Sequence, residues 1–368
     1  MTPQMEIQLI AAVVAAACAL PGVFLVLRRM ALMSDAISHA ILLGIVVGFL
    51  ITGDLGSPLL ILGAALTGVL TVALVEVTYR TRLVREDAAI GIVFPALFSI
   101  GVILIARFAD DVHLDIDAVL LGELAFAPFD RLTFAGQDVG PRALWVMAGV
   151  LLLNAAFISA FYKELKLTTF DTLLAGALGF SPALVHYGFM ALVSVTAVGA
   201  FDAVGSVLVI ALMIAPPAAA YLLTDHLGRM IALSLGLGVA SALSGYWLAH
   251  VLDASIAGSM AVAAGGWFAA AMLLAPERGI IATALRRGRQ RLEFAQLMLL
   301  IHLHNHEELP EAAEENRVPH LHRHLRWQPA FAERIVRLSE RRRLVAIEGD
   351  ALALTESGRL AARQALVA

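Results

Sequence analysis

Nine apolar runs, each about as long as a bilayer-crossing helix, succeed one another through the first three-quarters of this chain. They lie roughly at 7–27, 36–52, 58–78, 88–106, 143–162, 182–201, 203–223, 230–250 and 254–274. Inside a bilayer every backbone N–H and C=O must be satisfied within the segment, so runs of this length fold as helices. The sixth and seventh form one apolar stretch broken mainly by Asp202 and flanking glycines, a tight hairpin or a re-entrant pair, which leaves the count at eight or nine. Composition agrees: 60% of the 368 residues are hydrophobic and 15% charged, against about 25% charged in soluble domains. The expected fold is an all-α polytopic membrane protein. Because the first run lacks a basic lead and is long enough to span, it is read as the first span rather than a cleaved signal.

Charge divides the chain in two. After Ala275 come 15 of the 26 basic and 12 of the 30 acidic residues. The expected domains are a transmembrane unit, residues 1–279, and a polar tail, residues 280–368. Every odd run ends in Lys or Arg: Arg28 and Arg29, then Arg80, Arg82 and Arg85, then Lys163 and Lys166, then Arg229, then Arg278. The short alternate loops carry none, so the positive-inside rule places the N-terminus outside and the tail in the cytoplasm. The longest outer loop, about 107–142, is expected to form a short interfacial helix or a β-hairpin lid. Its acidic set, Asp110, Asp111, His113, Asp115 and Asp117, either attracts cations to a pore mouth, docks a binding protein, or is a solvated loop.

The basic-side segment 163–180, KELKLTTFDTLLAGALGF, spaces Phe170, Leu173, Leu174, Ala177 and Leu178 as one face of a helix, with Gly179 as its C-terminal cap. Together with Asp171, these residues make a short amphipathic element on the basic side of the spans, a candidate docking site for a partner subunit. Gly44 and Gly48, Gly199 and Gly205, Gly236 and Gly238, and Gly265 and Gly266 would let helices approach closely. Pro95, Pro216 and Pro217 are expected to kink or interrupt their spans.

The sharpest chemistry is in GVFLVLRRMALMSDAISHAILLG, residues 22–44. Asp35 and His39 stand at i,i+4, on one face of a helix. His39 lies ten residues beyond Arg29, about 15 Å along a helix and near mid-bilayer. Ionisable groups at that depth are costly and mark ion pathways. An oxygen and a nitrogen ligand suit Mn²⁺, Zn²⁺ or Fe²⁺, while a capping Asp and a polar pair is the structural alternative. Two ligands do not complete a site. Asp202 is a further candidate metal ligand, pore-lining or interfacial. Glu76 is expected to reach the interface toward Arg80, and His186 and His250 to sit near span ends. Asp225 and His226 are expected to be ordinary loop residues. Cys18, the one cysteine, reads as a small buried residue. No GxxxxGK[ST] phosphate loop and no nucleophile–base constellation occurs, so no ATPase or other enzyme activity is expected of this chain. No permanently bound cofactor is expected.

The tail alternates a helix at 286–304, an acidic linker, a helix with Phe331, Ile335 and Leu338 on one face, two short strands about a Gly-Asp turn, and a closing helix. This order resembles a winged-helix domain, a small α+β unit. Six of the eleven histidines fall here; His302/His306 and His320/His324 are i,i+4 pairs of a spacing that binds divalent metals. Arg341, Arg342 and Arg343 form a basic run able to meet phosphate.

Four ordered segments carry a resemblance to the zinc/manganese-type ABC transporter permease family: GVFLVLRRMALMSDAISHAILLG, EDAAIGIVFPALFSIGVILI, KELKLTTFDTLLAGALG and AVGSVLVIALMIAPPAAAYLLTDHLGRM. It covers about residues 5–280. The resemblance implies a type II importer-like permease in the bacterial inner membrane. Its partners would be a separate ATP-binding subunit, an extracytoplasmic metal-binding protein, and a second permease copy or sister permease. It also implies that Asp35 and His39 line the metal path, and it favours Mn²⁺ over Zn²⁺ and Fe²⁺. Ser34 stands where the family often has Gly, and Asp202 where it often has Gln or Glu. Winged-helix tails occur in some manganese- or iron-linked members; a regulatory or packing role is preferred here over nucleic-acid binding. Two other readings stay open: a secondary metal transporter driven by an ion gradient, and a membrane-tethered, metal-responsive transcription regulator.

Overall fold

A computed structural model of the chain describes residues 2–53, 57–108, 124–134, 137–307, 316–317, 321, 325–349 and 351–367. Met1–Gly279 and Ile280–Ala368 are separate compact units.

In the first unit, nine helices among the described residues are long and apolar enough to cross a membrane. They are α1 (Pro3–Leu27), α2 (Ala31–Thr52), α3 (Pro58–Arg80), α4 (Glu86–Phe108), α5 (Arg142–Ala160), and then, after two short helices, α8 (Pro182–Val204), α9 (Ser206–Leu223), α10 (Leu227–Leu252) and α11 (Ile256–Leu274). The short pair is α6 (Tyr162–Phe170) and α7 (Thr172–Ala177). Helix α1 is central and packs on α5, α8, α9 and α10. Its Ile10, Ala11, Val14, Ala15, Ala17 and Cys18 are fully buried. Helix α2 packs on α3 and α4, and α3 packs on α8.

Small residues set these approaches. A side chain at Gly44 of α2 would collide with the Gly63 backbone of α3. Gly245 of α10 lies in the same way against the Met260 backbone of α11, and Gly22 of α1 against Met213 and Pro217 of α9. Gly48, Gly199 and Gly238 also sit at close contacts, but nothing lies within 4 Å of the Cβ position at Gly236, Gly265 or Gly266. At those three, no close helix contact is made among the described residues.

Two other expectations change. The break between the sixth and seventh spans falls at Gly205, whose φ of 79° and ψ of 163° suit glycine, and Asp202 stays in the last turn of α8. Helices α4 and α9 run through Pro95 and through Pro216 and Pro217 without interruption. In α9 the prolines are buried, and glycine at position 22 leaves room for Pro217.

A buried polar clip ties three helices. Asn154 Nδ2 of α5 donates to the Ala17 carbonyl of α1 at 2.9 Å, and Thr196 Oγ1 of α8 donates to Asn154 Oδ1 at 3.0 Å. Interhelical bonds of this kind are worth about 1 kcal/mol in membranes. Asn154→Leu is expected to lower the detergent melting temperature measurably, while Asn154→Gln keeps part of the loss back. An unshifted melt for Asn154→Leu would show that the clip adds nothing.

The loop after α4 ends in an antiparallel hairpin, β1 (Arg131–Phe134) and β2 (Gln137–Pro141), with a register shift at Leu132/Thr133. Arg131 anchors it, pairing with Asp138 across the hairpin and with the buried Glu6 of α1 at 3.3 Å. The Gly140 N–H, and then Arg131, hold the Asp138 carboxyl below the usual carboxylate range. A hairpin was one of the two forms expected; the acidic set Asp110, Asp111, His113, Asp115 and Asp117 lies outside the described residues.

The second unit contains α12 (Ile280–His306), α13 (Pro329–Arg341), β3 (Val345–Glu348), β4 (Ala351–Leu354) and α14 (Glu356–Val367). Strands β3 and β4 form an antiparallel hairpin turning at Gly349, whose φ is 64°. Leu299, Leu300 and Leu303 of α12 form its core with Leu321, Ile335, Val345, Leu352, Leu354 and Ala362. Gln296 is buried between Ser339 and Arg342, so the middle arginine of the basic run has an internal partner at 2.9 Å. Glu307 is paired with Arg359 of α14 at 2.6 Å, which holds the carboxyl below its ordinary range.

Candidate metal centre

Helix α2 starts at Ala31, so Asp35 is in its second turn and His39 one turn further. His39 Nε2 lies 3.2 Å from Asp35 Oδ1, with side-chain exposures of 30% and 38% respectively. The neighbours at i±1, Ser34, Ala36, Ser38 and Ala40, are buried against the bundle. The His39 ring stacks on Phe94 of α4, centroids 5.8 Å apart, and meets the edge of Phe98 at 6.1 Å. Two aromatic rings thus orient the imidazole, and the carboxylate holds one nitrogen. The resulting N/O pair is about one-third exposed. Among the described residues no group of three His, Cys, Asp or Glu side chains converges to hold a metal.

Asp202 is exposed in the last turn of α8. In the second unit the His302 and His306 rings are 4.4 Å apart, and His306 Nδ1 lies 2.8 Å from the His302 carbonyl oxygen. His320 and His324 lie outside the described residues. Glu76 pairs with Arg80 at the basic end of α3, as its position near the arginine cluster implies. His250, at the end of α10, meets Trp247 edge-on. Asp225 departs from expectation: it is ion-paired to Arg278, which also donates to the Tyr221 carbonyl at 2.9 Å and lies over the Tyr221 ring. Their separation of 53 residues hides the pair from any local pattern.

At the end of the bundle that carries the basic loops, a cavity of about 620 Å³ is lined by Arg28, Met33, Glu76, Arg80, Thr168, Thr169 and His186. Neither Asp35 nor His39 lines it. Beside it run α6 and α7, where one continuous helix was expected. Asp171 interrupts it: its backbone is extended and its side chain caps α7 by accepting from the Leu174 N–H at 2.9 Å. Helix α7 closes with Gly179 at φ 87°; the Gly179 N–H donates to Gly176 and the Phe180 N–H to Ala175, which is a Schellman ending. Phe170, Leu173, Leu174 and Leu178 are left 64%, 86%, 46% and 59% exposed. Such apolar exposure on a short rigid element, outside the spans, marks an interaction surface.

Nine span-length helices among the described residues, an Asp–His pair inside the second and an apolar element at the basic end fit a membrane transport subunit. The family model described as the ABC 3 transport family matches residues 4–275, and the chain belongs to that family. The chain is 47% identical over 354 residues to the zinc transport system membrane protein TroD of Treponema pallidum, covering 96% of each protein. It is 49% identical over 282 residues to the manganese transport system membrane protein MntD of Bacillus subtilis, covering 77% of this chain and 95% of MntD. Among solved structures, PsaBC from Streptococcus pneumoniae in complex with Fab superposes with a TM-score of 0.62 at 28% identity, covering 76% of this chain and 94% of that one.

Proposed function

We propose that this chain is the permease of an ATP-driven importer for a divalent transition metal, with Mn²⁺ ahead of Zn²⁺ and Fe²⁺. The observation that carries the reading is the Asp35–His39 pair, 3.2 Å apart and one-third exposed within a span. A carboxylate and an imidazole facing hydrocarbon would be costly. A second permease copy, or a sister permease, seated on this face would remove that cost and add ligands from its own side, giving the mixed O/N set that Mn²⁺ and Zn²⁺ accept. The relatives named for zinc and manganese transport support this cargo class. In this reading the basic loops and the tail are cytoplasmic, and a metal-binding protein delivers the ion from the other side. A separate ATP-binding subunit docks on Phe170, Asp171, Leu174, Ala177, Leu178 and Gly179. The tail regulates or packs, and nucleic acid is not a partner.

Uptake into proteoliposomes holding the chain with its ATP-binding subunit is the test. Radioactive Mn²⁺ should enter only with ATP and the subunit present. Uptake driven by a proton or sodium gradient without the subunit would instead establish a secondary transporter.

A further inference from the structure

Arg28 and Arg29 together mark the basic end of α1, and charge alone would make them equivalent. The structure separates them. Arg29 takes a left-handed backbone, φ 61°, and its side chain is exposed. Arg28 turns inward. Its Nε donates to Thr169 Oγ1 at 3.0 Å and its Nη2 to Thr168 Oγ1 at 2.9 Å, across 140 residues of sequence. The guanidinium carbon lies 5.1 Å from the ring centroid of Phe189 in α8. Phe189 is fully buried and meets Phe24 of α1 edge-on.

This is an unusual place to keep a cation. Among the described residues no carboxylate pairs with Arg28; its partners are two hydroxyls and an aromatic face. Burial pushes its guanidinium down to about 10. A half-buried charge whose partners are neutral groups gains little stability from them, which points to a positional role. The fork of N–H groups is what lets one side chain engage two adjacent hydroxyls, a geometry that a lysine ammonium does not reproduce. Thr168 is itself fixed, donating to the Glu164 carbonyl at 2.8 Å. The strut therefore joins the C-terminal turn of α6 to the connector between α1 and α2, beside Phe189 of α8. Asp35 follows seven residues after Arg28.

We propose that Arg28 is a positioning residue that transmits movement of α6 and α7 to the start of α2, so that ATP turnover on the docked subunit changes access to the Asp35–His39 pair. The inference rests on the permease reading above. Its signature is uncoupling rather than loss of assembly. The arginine supports neither the exposed apolar face of α7 nor the metal ligands by contact, so docking and hydrolysis persist without it.

The experiment uses the full complex in proteoliposomes, measuring Mn²⁺ entering per ATP hydrolysed. Arg28→Met should leave the ATP-binding subunit bound and hydrolysis within about threefold of wild type, while uptake falls at least tenfold. The double change Thr168→Val and Thr169→Val removes the acceptors without deleting a charge, and should lower the same ratio if Arg28→Met proves unstable. Arg28→Lys should recover only part of it. Parallel loss of hydrolysis and uptake in the stable variants, or an unchanged ratio, would overturn the proposal. If wild type itself shows no ATP-dependent uptake, the permease reading fails and this inference with it.

Discussion

Asp35→Ala and His39→Ala are each expected to lower metal uptake by about a hundredfold or more, while the protein stays folded. The geometry explains both halves of this expectation. In the reading proposed above each chain brings one carboxylate and one imidazole, 3.2 Å apart, so either change would halve the ligands from a protomer. Removing even an outer-shell partner of a metal ligand typically costs about 10–100-fold, and removing a ligand costs at least as much. Folding survives because both side chains are about one-third exposed, so truncation leaves neither a large cavity nor a buried orphan. Asp35→Asn separates charge from shape: it keeps an oxygen ligand of similar size and should retain more uptake than Asp35→Ala. Competing Mn²⁺, Zn²⁺ and Fe²⁺ in the same assay ranks the cargo. Wild-type uptake in both alanine variants would make the pair structural and send the search to Asp202 and the acidic outer loop.

Gly44→Val is expected to destroy the fold of the first unit rather than its chemistry. At Gly44 a Cβ would overlap the carbonyl group of Gly63 and crowd Thr67 Oγ1. Backbone cannot rotate away as a flexible side chain can, so α2 and α3 would have to separate. Overpacking a tight core typically costs about 1–3 kcal/mol, and more where backbone must move. Here the displaced helix is also the one that carries Asp35 and His39. The measurable result is loss of monodisperse protein in detergent, or a large drop in melting temperature. Gly236→Ala is the matched control, since nothing lies within 4 Å of its Cβ position. Its melting temperature should not fall, because alanine is the better helix former. If Gly44→Val behaved like that control, close approach of α2 to α3 would not hold this unit together.

The features that were readable in advance are local ones. Hydropathy located all nine spans to within a few residues, because crossing a membrane needs a run of fixed length and character. The spacing of Asp35 and His39 on one helix face was equally plain, since i,i+4 geometry is a property of the helix alone. Gly179 as a terminator and the hairpin turn before β4 were legible for the same reason: glycine reports backbone conformation directly.

Which helix faces meet was not readable. A span that is apolar all round carries no stripe to say which side turns inward. Gly44 and Gly63 therefore looked no different from Gly236 or Gly265, although only the first two are in contact. Asn154 with Ala17 and Thr196, Asp225 with Arg278, and Arg28 with Thr168 and Thr169 join residues 42 to 141 positions apart. No periodicity connects such positions, and their partners are set by packing. The sequence by itself determined the approximate spans and one carboxylate–imidazole pair on one face of the second. Only the tertiary structure decided that this pair is one-third exposed beside Phe94 and Phe98, and that of two adjacent arginines one is drawn in against α6, because exposure and long-range contact exist only once the helices have packed.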